Sequence, residues 1–525
     1  MAREICRYTG KIRTDRKASM TVKPALRRDW AQMSRKELET FQLRRLRRAM
    51  RELWIPFSPY YRARLEAEGL SWRDLRSLED LARFPFTTKA DILPSKRNPD
   101  GPRAFILTPD RNAIKHRLPA SKKLPLLARG IVGGRSAIEE ALQAEFLPIK
   151  ILFTTGRSAS SLPFFLSRLD LALLRESGRR LSEILGLHAG QDRVVSLFPY
   201  APHLAFWQVA EGAESSGVLT LNTGGGRVMG GERILDLIER LEPTAICGMP
   251  GYFYHVLRKA HRDGRNWSKI RTVALGGEMV SDVLKRRIVS ILREMGSPDP
   301  CVCSVLGFTE SRQCWGECRS KEGTGFHVFP DMGIVEIVDP DTGERLPDET
   351  TGELVFTALA GRGSLLFRYR TGDIVEGGVT YAPCPSCGRT TPRLGTRIQR
   401  KSNVKALDLS KVKGTYVNFN TLSSLLSSDP AIEEWQLVIL KPSDDPFEVD
   451  EIELWCSLAE GADEEAFRRG IQEAVSRATE MRFNRIVVVP LEEILDRLGM
   501  ETLTKEQRIL DKRPVQSKRK DPGRS

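Results

Sequence analysis

"GVLTLNTGGGRVMGGERILDLIERLEPTAICGM", Gly217–Met249, decides the fold class. An apolar β-like run, GVLTLN, is followed by a helical pattern, RILDLIERL, and then by a second apolar run, TAICGM. The same texture extends outward in both directions. Upstream lie IKILF (Ile149–Phe153), the helical DLALLRESGRRLSEILGL (Asp170–Leu187) and RVVSLF (Arg193–Phe198), and downstream lies RTVALGG (Arg271–Gly277). Strands alternating with helices predict a largely parallel sheet covered by helices.

Beyond Asp331 the texture changes. GIVEIVDPDTGERL carries turn chemistry at Asp339–Gly343 and is followed by TGELVFTAL, which predicts antiparallel strands. After about Lys401 a smaller α+β segment begins, ending in a basic tail. Near the start, Ser34 and Glu37 stand at capping-box spacing, and Leu38, Phe41, Leu46, Met50 and Leu53 approximate a helical stripe. Helical structure with Pro-marked breaks is expected through SLEDLARFPFTTKADI (Ser77–Ile92). The expected organisation is therefore a basic flexible arm over 1–25, a large domain over 26–400 and a small domain over 401–525. No internal repeat is visible.

The chain has 525 residues and a formal net charge of +14, with 40% hydrophobic and 29% charged residues. That composition is ordinary for a globular protein and leaves room for two domains. No apolar run approaches the ~18 residues of a membrane span. The basic N-terminal stretch lacks the apolar core of a secretory signal, so a cytoplasmic location is expected. Much of the positive excess sits in REICRYTGKIRTDRK, RRLRRAMR and KRPVQSKRKDPGRS. Solvated helical faces and tails account for such runs; with no recognised reader motif, nucleic-acid binding is not expected.

Nine cysteines, an odd number, argue against a disulfide framework. Cys384 and Cys387 form a C-x2-C knuckle followed by Gly388, and Cys318 and His327 lie upstream in ECRSKEGTGFH. Together they compose a Cys3His set, a normal closed tetrahedral zinc site, with Cys314 as the substitute if His327 points elsewhere. Such a site is structural, because it offers no open coordination position.

ILFTTGRSASSLPFF, Ile151–Phe165, runs from a strand into a small-residue loop without an acidic side chain. Backbone N–H groups and hydroxyls in such loops wrap phosphates, although a Walker A pattern is absent. Its position ahead of LGGEM, LGFTE, TGELVFT, FRYRTGDI, CGRTTPRLGTRIQRKSN and TLTKEQRILDKRP is more informative than the loop itself. This ordered series resembles the acyl-adenylate-forming superfamily, most closely its phenylacetate–CoA ligase branch, over nearly the whole chain. The resemblance implies an α/β fold: a large N-terminal adenylate-forming domain of mixed sheets with helices, and a small mobile α+β C-terminal domain that acts as a lid. It also implies the chemistry. A carboxylic acid attacks the α-phosphate of ATP, pyrophosphate leaves, and a thiol such as coenzyme A takes the acyl group from the adenylate.

Carried over residue by residue, the resemblance gives Asp373 the ribose hydroxyls, which a carboxylate accepts well, and Arg397 the ribose–phosphate end. Thr309 would stand near the α-phosphate, and Glu310 would ligate magnesium, a cation that prefers one or two carboxylates plus phosphate oxygens. Phe308 holds a variable position of that motif, and Leu306 replaces its usual tyrosine. Gly276, Gly277 and Glu278 match the segment that packs against adenine and the acyl group. Thr155, Gly156 and Ser158 match the pyrophosphate-contacting loop, with Ala159 where a later glycine is usual. Lys505 matches the lysine that bridges carboxylate and α-phosphate, preceded here by Thr504 instead of glycine. Some members of the branch carry a similar structural zinc.

FPYAPHLAFW places Tyr200, His203, Phe206 and Trp207 where the branch has its acyl pocket, with Met249 as a further lining residue, so an aryl acid is the expected substrate. The family hinge reads Arg400-Lys401-Ser402-Asn403 here, a departure in three positions, and Lys413 and Gly414 resemble the loop used in thioester formation. Delivery of the acyl group to an amine, a hydroxyl or a carrier protein is the alternative, and a noncatalytic relative used for binding or assembly is a third reading. A homodimer is a state found among several relatives.

Overall fold

The computed structural model describes residues 26–96, 98–154, 161–320, 322–400, 404–409, 412–441, 450–479, 481–499 and 507–513. The basic arm, Thr155, Gly156, Ser158 and Ala159 of the small-residue loop, Lys401 to Asn403 of the hinge, and Thr504 with Lys505 lie outside the described residues.

The helix Arg35–Ala49 starts where the sequence predicts. The Ser34 hydroxyl accepts from the Glu37 N–H, and the Glu37 carboxylate accepts from the Ser34 N–H. Its buried face carries Leu38, Gln42, Leu46 and Ala49. The expected helical layer after it is fragmentary: a π-helical turn at Met50–Trp54, a helix Pro59–Ala67 and short pieces at Glu79–Arg83 and Lys89–Ile92. A longer helix, Ala120–Phe146, then leads to the first strand.

Strands β1 (Pro148–Phe153) and β2 (Pro163–Ser167) form their own antiparallel pair. IKILF therefore does not join the parallel sheet that its β–α context predicts. The reason is visible in its alternation: Ile149 and Ile151 face solvent while Leu152 is buried, whereas a central parallel strand must bury both faces.

The parallel layer consists of β3 (Arg193–Pro199), β4 (Leu219–Gly224), β5 (Ala245–Gly248), β6 (Thr272–Gly276) and β7 (Cys301–Phe308). β5 and β6 are buried at every residue, which is why they read as continuous apolar runs. Helices Arg168–Ile184, Leu204–Ser216, Gly231–Leu241, Pro250–Arg262 and Asp282–Glu294 connect and cover the strands.

Antiparallel strands extend this layer: β8 (Gln313–Gly316), β9 (Phe326–His327) and, later in the chain, β13 (Val379–Thr380) and β14 (Arg393–Leu394). The nine-stranded order is β13-β14-β9-β8-β7-β6-β5-β3-β4. A second, antiparallel sheet has the order β10 (Gly333–Val338), β11 (Gly352–Ala358), β12 (Tyr369–Val375) and β15 (Ile398–Arg400). The Asp339–Gly343 turn forms as its sequence predicts, with the Gly343 N–H bonded to the Asp339 carbonyl.

After Arg400 come the hairpin β16 (Val404–Leu409) and β17 (Val412–Asn418). A four-stranded sheet follows, ordered β20-β19-β18-β21, from β18 (Ile432–Leu440), β19 (Glu451–Leu458), β20 (Arg485–Val488) and β21 (Ile509–Asp511). It has its own apolar core, with Phe419, Leu437, Leu454, Phe467 and Ile471 among its members.

Candidate active site

In a doubly wound sheet, loops leaving the carboxyl ends of parallel strands open a crevice where the strand order reverses. Here β4 and β5 flank β3 on opposite sides, so the reversal lies at β3 and β5. The loops that follow them carry Tyr200 and His203, and Met249. The candidate pocket residues thus fall where the topology opens a site.

His203 sits at the N-cap of the helix Leu204–Ser216, and its Nδ1 lies 3.0 Å from the Phe153 carbonyl oxygen. Thr309 Oγ1 donates to that same carbonyl at 3.4 Å. Phe153 also bonds to the loop after β3, its N–H donating to the Pro202 carbonyl at 2.7 Å. The feet of the small-residue loop are pinned next to it. Thr154 and Leu162 exchange bonds through the Thr154 N–H and hydroxyl, and the Ser161 hydroxyl donates to the Thr154 carbonyl. The described residues Thr154, Ser161 and Leu162 are thereby held next to Phe153, whose carbonyl Thr309 also contacts.

Tyr200 is 51% exposed; its hydroxyl donates to the Asn222 carbonyl at 2.8 Å and its ring meets Phe206 edge-on at 4.9 Å. Trp207 is turned elsewhere: Lys150 Nζ stands 3.7 Å over its ring, and it packs against the small core that holds Leu152 and Leu204. The structure brings Tyr200 and Phe206 into contact, ties His203 to the Phe153 carbonyl and assigns Trp207 to packing. Met249 lies against Gly277, where an added Cβ would meet its side chain at 3.7 Å. Gly276 is required for a different reason. A Cβ there would stand 2.7 Å from the Val305 carbonyl oxygen of the neighbouring strand. Gly277 has φ +91°, a conformation that favours glycine, and half-buried Glu278 follows it.

Phe308 is core. Its ring is buried against Trp315 and Phe356 at 5.2 and 5.3 Å. The next residues point to chemistry instead. Glu310 is a half-buried carboxylate that accepts from the Tyr369 hydroxyl at 3.3 Å, and its desolvation among neighbouring groups raises its affinity for a proton above the usual glutamate range. Tyr369 and Asp373 lie four residues apart on β12, on either side of an irregularity in its pairing with β11, and both are buried. Asp373 is 6% exposed, and burial pushes its carboxyl up to about 6, with the charge of Glu310 adding to the rise and Arg400 opposing it. A half-buried carboxylate at Glu310 and a buried one at Asp373, whose charge Glu310 disfavours, form a site suited to a cation and hydroxyl donors.

Arg400 is the guanidinium that meets Asp373, with Nε 2.7 Å from Oδ1, and the two residues are register partners across β12 and β15. Arg397, the arginine singled out in the sequence, pairs with Asp282 and Glu376 at 3.4 Å each. Sequence reading missed Tyr369 and Arg400 as site residues. Tyr369 stands within FRYRTGDI, four residues before Asp373; Arg400 needed the strand register. Lys413 and Gly414 fall on the backbone of β17.

Cys318, His327, Cys384 and Cys387 present four ligand atoms that all lie within 4.8 Å of one another. Cys318 and Cys384 sulfurs are 3.7 Å apart, and Cys387 Sγ is 3.6 Å from His327 Nε2. Zinc–sulfur and zinc–nitrogen bonds of about 2.3 and 2.0 Å at tetrahedral angles require S···S and S···N separations of about 3.8 and 3.5 Å, so the donor set fits zinc. The outer ring nitrogen of His327 lies 3.1 Å from the Thr391 hydroxyl, the kind of contact that orients a metal-binding imidazole. Hydrogen bonding with Cys318, and next with His327, holds the Cys387 thiol far below the ordinary thiol range, while the same bond and burial push Cys318 up. Gly388, at φ +70°, closes the knuckle. The cluster ties the segment after β8 to β9 and to the loop before β14; it stands apart from Asp373 in its bonding and offers no free position. Cys314 is a buried thiol outside the cluster.

A family model described as AMP-binding enzyme matches residues 172–360. The phenylacetate–coenzyme A ligase of Thermus thermophilus is 26% identical over 432 residues, covering 82% of this chain and 83% of that protein. The enzyme of the same name from Escherichia coli is 22% identical, covering 73% and 74%. Among solved structures, a 2-hydroxyisobutyryl-CoA ligase in its postadenylation state, in complex with R3-HIB-AMP, superposes with a TM-score of 0.70 at 20% identity, covering 92% of this chain and 91% of that one. The same ligase in its thioesterification state gives 0.57, covering 93% and 92%. These similarities of fold place the large mixed sheet and its carboxyl-end crevice in one architecture.

Proposed function

We propose that this chain is a member of the acyl-adenylate-forming superfamily, in its phenylacetate–CoA ligase-like branch, and that it activates an aryl carboxylic acid with ATP and passes the acyl group to coenzyme A. The enzyme class is an AMP-forming acid–thiol ligase. The observation that carries the reading is the convergence of Glu310, Tyr369 and Asp373 beside Thr309, at the carboxyl edge of the sheet.

In this reading Asp373 accepts the ribose hydroxyls, and Gly276 and Gly277 let a flat base approach the backbone. Glu310 would hold Mg2+, which supplies charge neutralisation for the phosphates. Thr309 directs its hydroxyl at the α-phosphate once the Phe153 carbonyl releases it. Thr155, Gly156 and Ser158 contact the leaving pyrophosphate. Lys505 neutralises the carboxylate and α-phosphate together in the transition state, a form of electrostatic catalysis. Tyr200, Phe206, His203 and Met249 line the acyl pocket, and Lys413 and Gly414 serve thioester formation. Residues 26–400 form the catalytic body and 401–525 the lid. Cys318, His327, Cys384 and Cys387 hold a structural zinc.

One observation favours a noncatalytic relative as the second reading: Arg400 already occupies the carboxylate of Asp373. Incubation with phenylacetate, ATP, Mg2+ and coenzyme A separates the two. The proposed enzyme yields AMP and phenylacetyl-CoA in equal amounts; a noncatalytic protein yields neither with any aryl acid.

A further inference from the structure

The geometry points to a docking surface for an anionic lipid membrane on the first half of the helix Ala120–Phe146. From Arg111 to Ile138 the sequence has no Asp or Glu, although the chain as a whole carries 68 of them. The same span holds seven cations: Arg111, Lys115, Arg117, Lys122, Lys123, Arg129 and Arg135. Four of the large apolar side chains that the protein leaves exposed lie in it, with Leu124 at 64%, Leu127 at 56%, Ile131 at 85% and Val132 at 91%.

The arrangement of these residues is directional. Gly134, at φ 70° and ψ −170°, divides the helix, so residues 120–133 form one rod. At about 100° per residue, Leu124, Leu127, Ile131 and Val132 fall within an arc of about 140°. Leu126 points the opposite way and packs against the main core, which fixes which face is outward. Lys122 and Arg129 border one edge of the arc and Lys123 the other. Beyond Gly134, Leu142 and Phe146 anchor the second half, the latter edge-on to Phe57 at 5.4 Å. Lys122 lies 3.4 Å from Glu52, whereas Arg117 and Arg129 have no acidic partner among the described residues.

An apolar arc bordered by cations is what an interfacial helix presents to a lipid surface: the apolar side chains enter the headgroup boundary and the cations meet anionic lipids. Charge selects this occupant. The segment is wholly basic within a chain of net charge +14, so a second copy of the chain would bring like charge to the same face.

Flotation of the full-length protein with vesicles tests the assignment. Phosphatidylcholine vesicles are compared with phosphatidylcholine–phosphatidylglycerol vesicles, using wild type, the double variant Leu127→Gln/Ile131→Gln, and the double variant Lys123→Glu/Arg129→Glu. All substituted side chains lie outside the core, so an unchanged Tm is expected and verifies folding. Wild type should float only with the anionic vesicles, and each double variant should partition about tenfold or more weakly. Absence of wild-type flotation overturns the proposal. So does flotation that both variants retain, which would assign binding to the basic chain ends. A wild-type dimer that Leu127→Gln/Ile131→Gln converts to monomer, without vesicle binding, overturns it in favour of an interface between copies.

Discussion

Arg400 reaches across from β15 to Asp373 on β12, its Nε 2.7 Å from Oδ1, and so covers the carboxylate proposed to hold the ribose. ATP must displace this partly exposed ion pair to bind. Replacing Arg400 with Gln should therefore lower the KM for ATP by about two- to fivefold, the worth of such a pair. Asp373→Asn, which removes the acceptor itself, should raise it at least about tenfold. Steady-state kinetics with varied ATP check both directions.

The same carboxyl supplies a pH dependence. Burial lifts Asp373 to about 6, so its ionised form is lost as pH falls through that value. Nucleotide binding should weaken below about pH 6, and Arg400→Gln should move the midpoint upward, because the arginine opposes the rise. The stability contribution has the opposite sign. A carboxyl whose folded pKa exceeds its unfolded value stabilises fully below the unfolded pKa, and that contribution disappears as pH rises through about 6. Titration of ATP affinity by calorimetry, alongside Tm against pH, separates the two trends.

Glu310 and Tyr369 should differ in weight. Glu310→Gln removes the carboxylate proposed to hold Mg2+ and should reduce adenylate formation by about 10²-fold or more while raising the Mg2+ concentration required. Tyr369→Phe deletes one hydrogen bond of 3.3 Å and should cost less than about tenfold. Rates measured across a Mg2+ series distinguish loss of a metal ligand from loss of a positioning contact.

Much of this site was legible because short-range pattern carries it. Apolar runs announced β3 to β6, of which β5 and β6 are buried on both faces, and the C-x2-C knuckle with its upstream Cys and His announced the cysteine–histidine cluster. Contacts fixed by long-range pairing were not legible. The Asp373–Arg400 bond follows from the register of strands separated by the whole knuckle segment, whereas Arg397 pairs with Asp282 and Glu376. IKILF misled because a run of apolar residues does not reveal that two of them face water. Phe308 and Trp207 misled because aromatic side chains near a motif serve cores as readily as pockets.

The cysteine–histidine cluster should contain about one zinc per chain by elemental mass spectrometry. Cys384→Ser and His327→Ala should lose the metal and lower Tm by several degrees or more, since binding energy at a structural zinc is folding energy.

Gly276→Ala tests the close approach of β6 and β7. With a Cβ 2.7 Å from the Val305 carbonyl, the strands must part, at a cost of about 1–3 kcal/mol. Chemical denaturation should show that loss, and the altered crevice should also reduce adenylation.

Acid-dependent exchange of labelled pyrophosphate into ATP measures the central claim most directly, because it reports adenylate formation whatever the acceptor. With a panel of aryl acids that includes phenylacetate, wild type should exchange label, and Lys505→Ala and Asp373→Asn should lower the rate by about 10²-fold and at least about tenfold. No exchange with any acid in the panel would contradict the account and leave a protein that keeps the fold without the reaction.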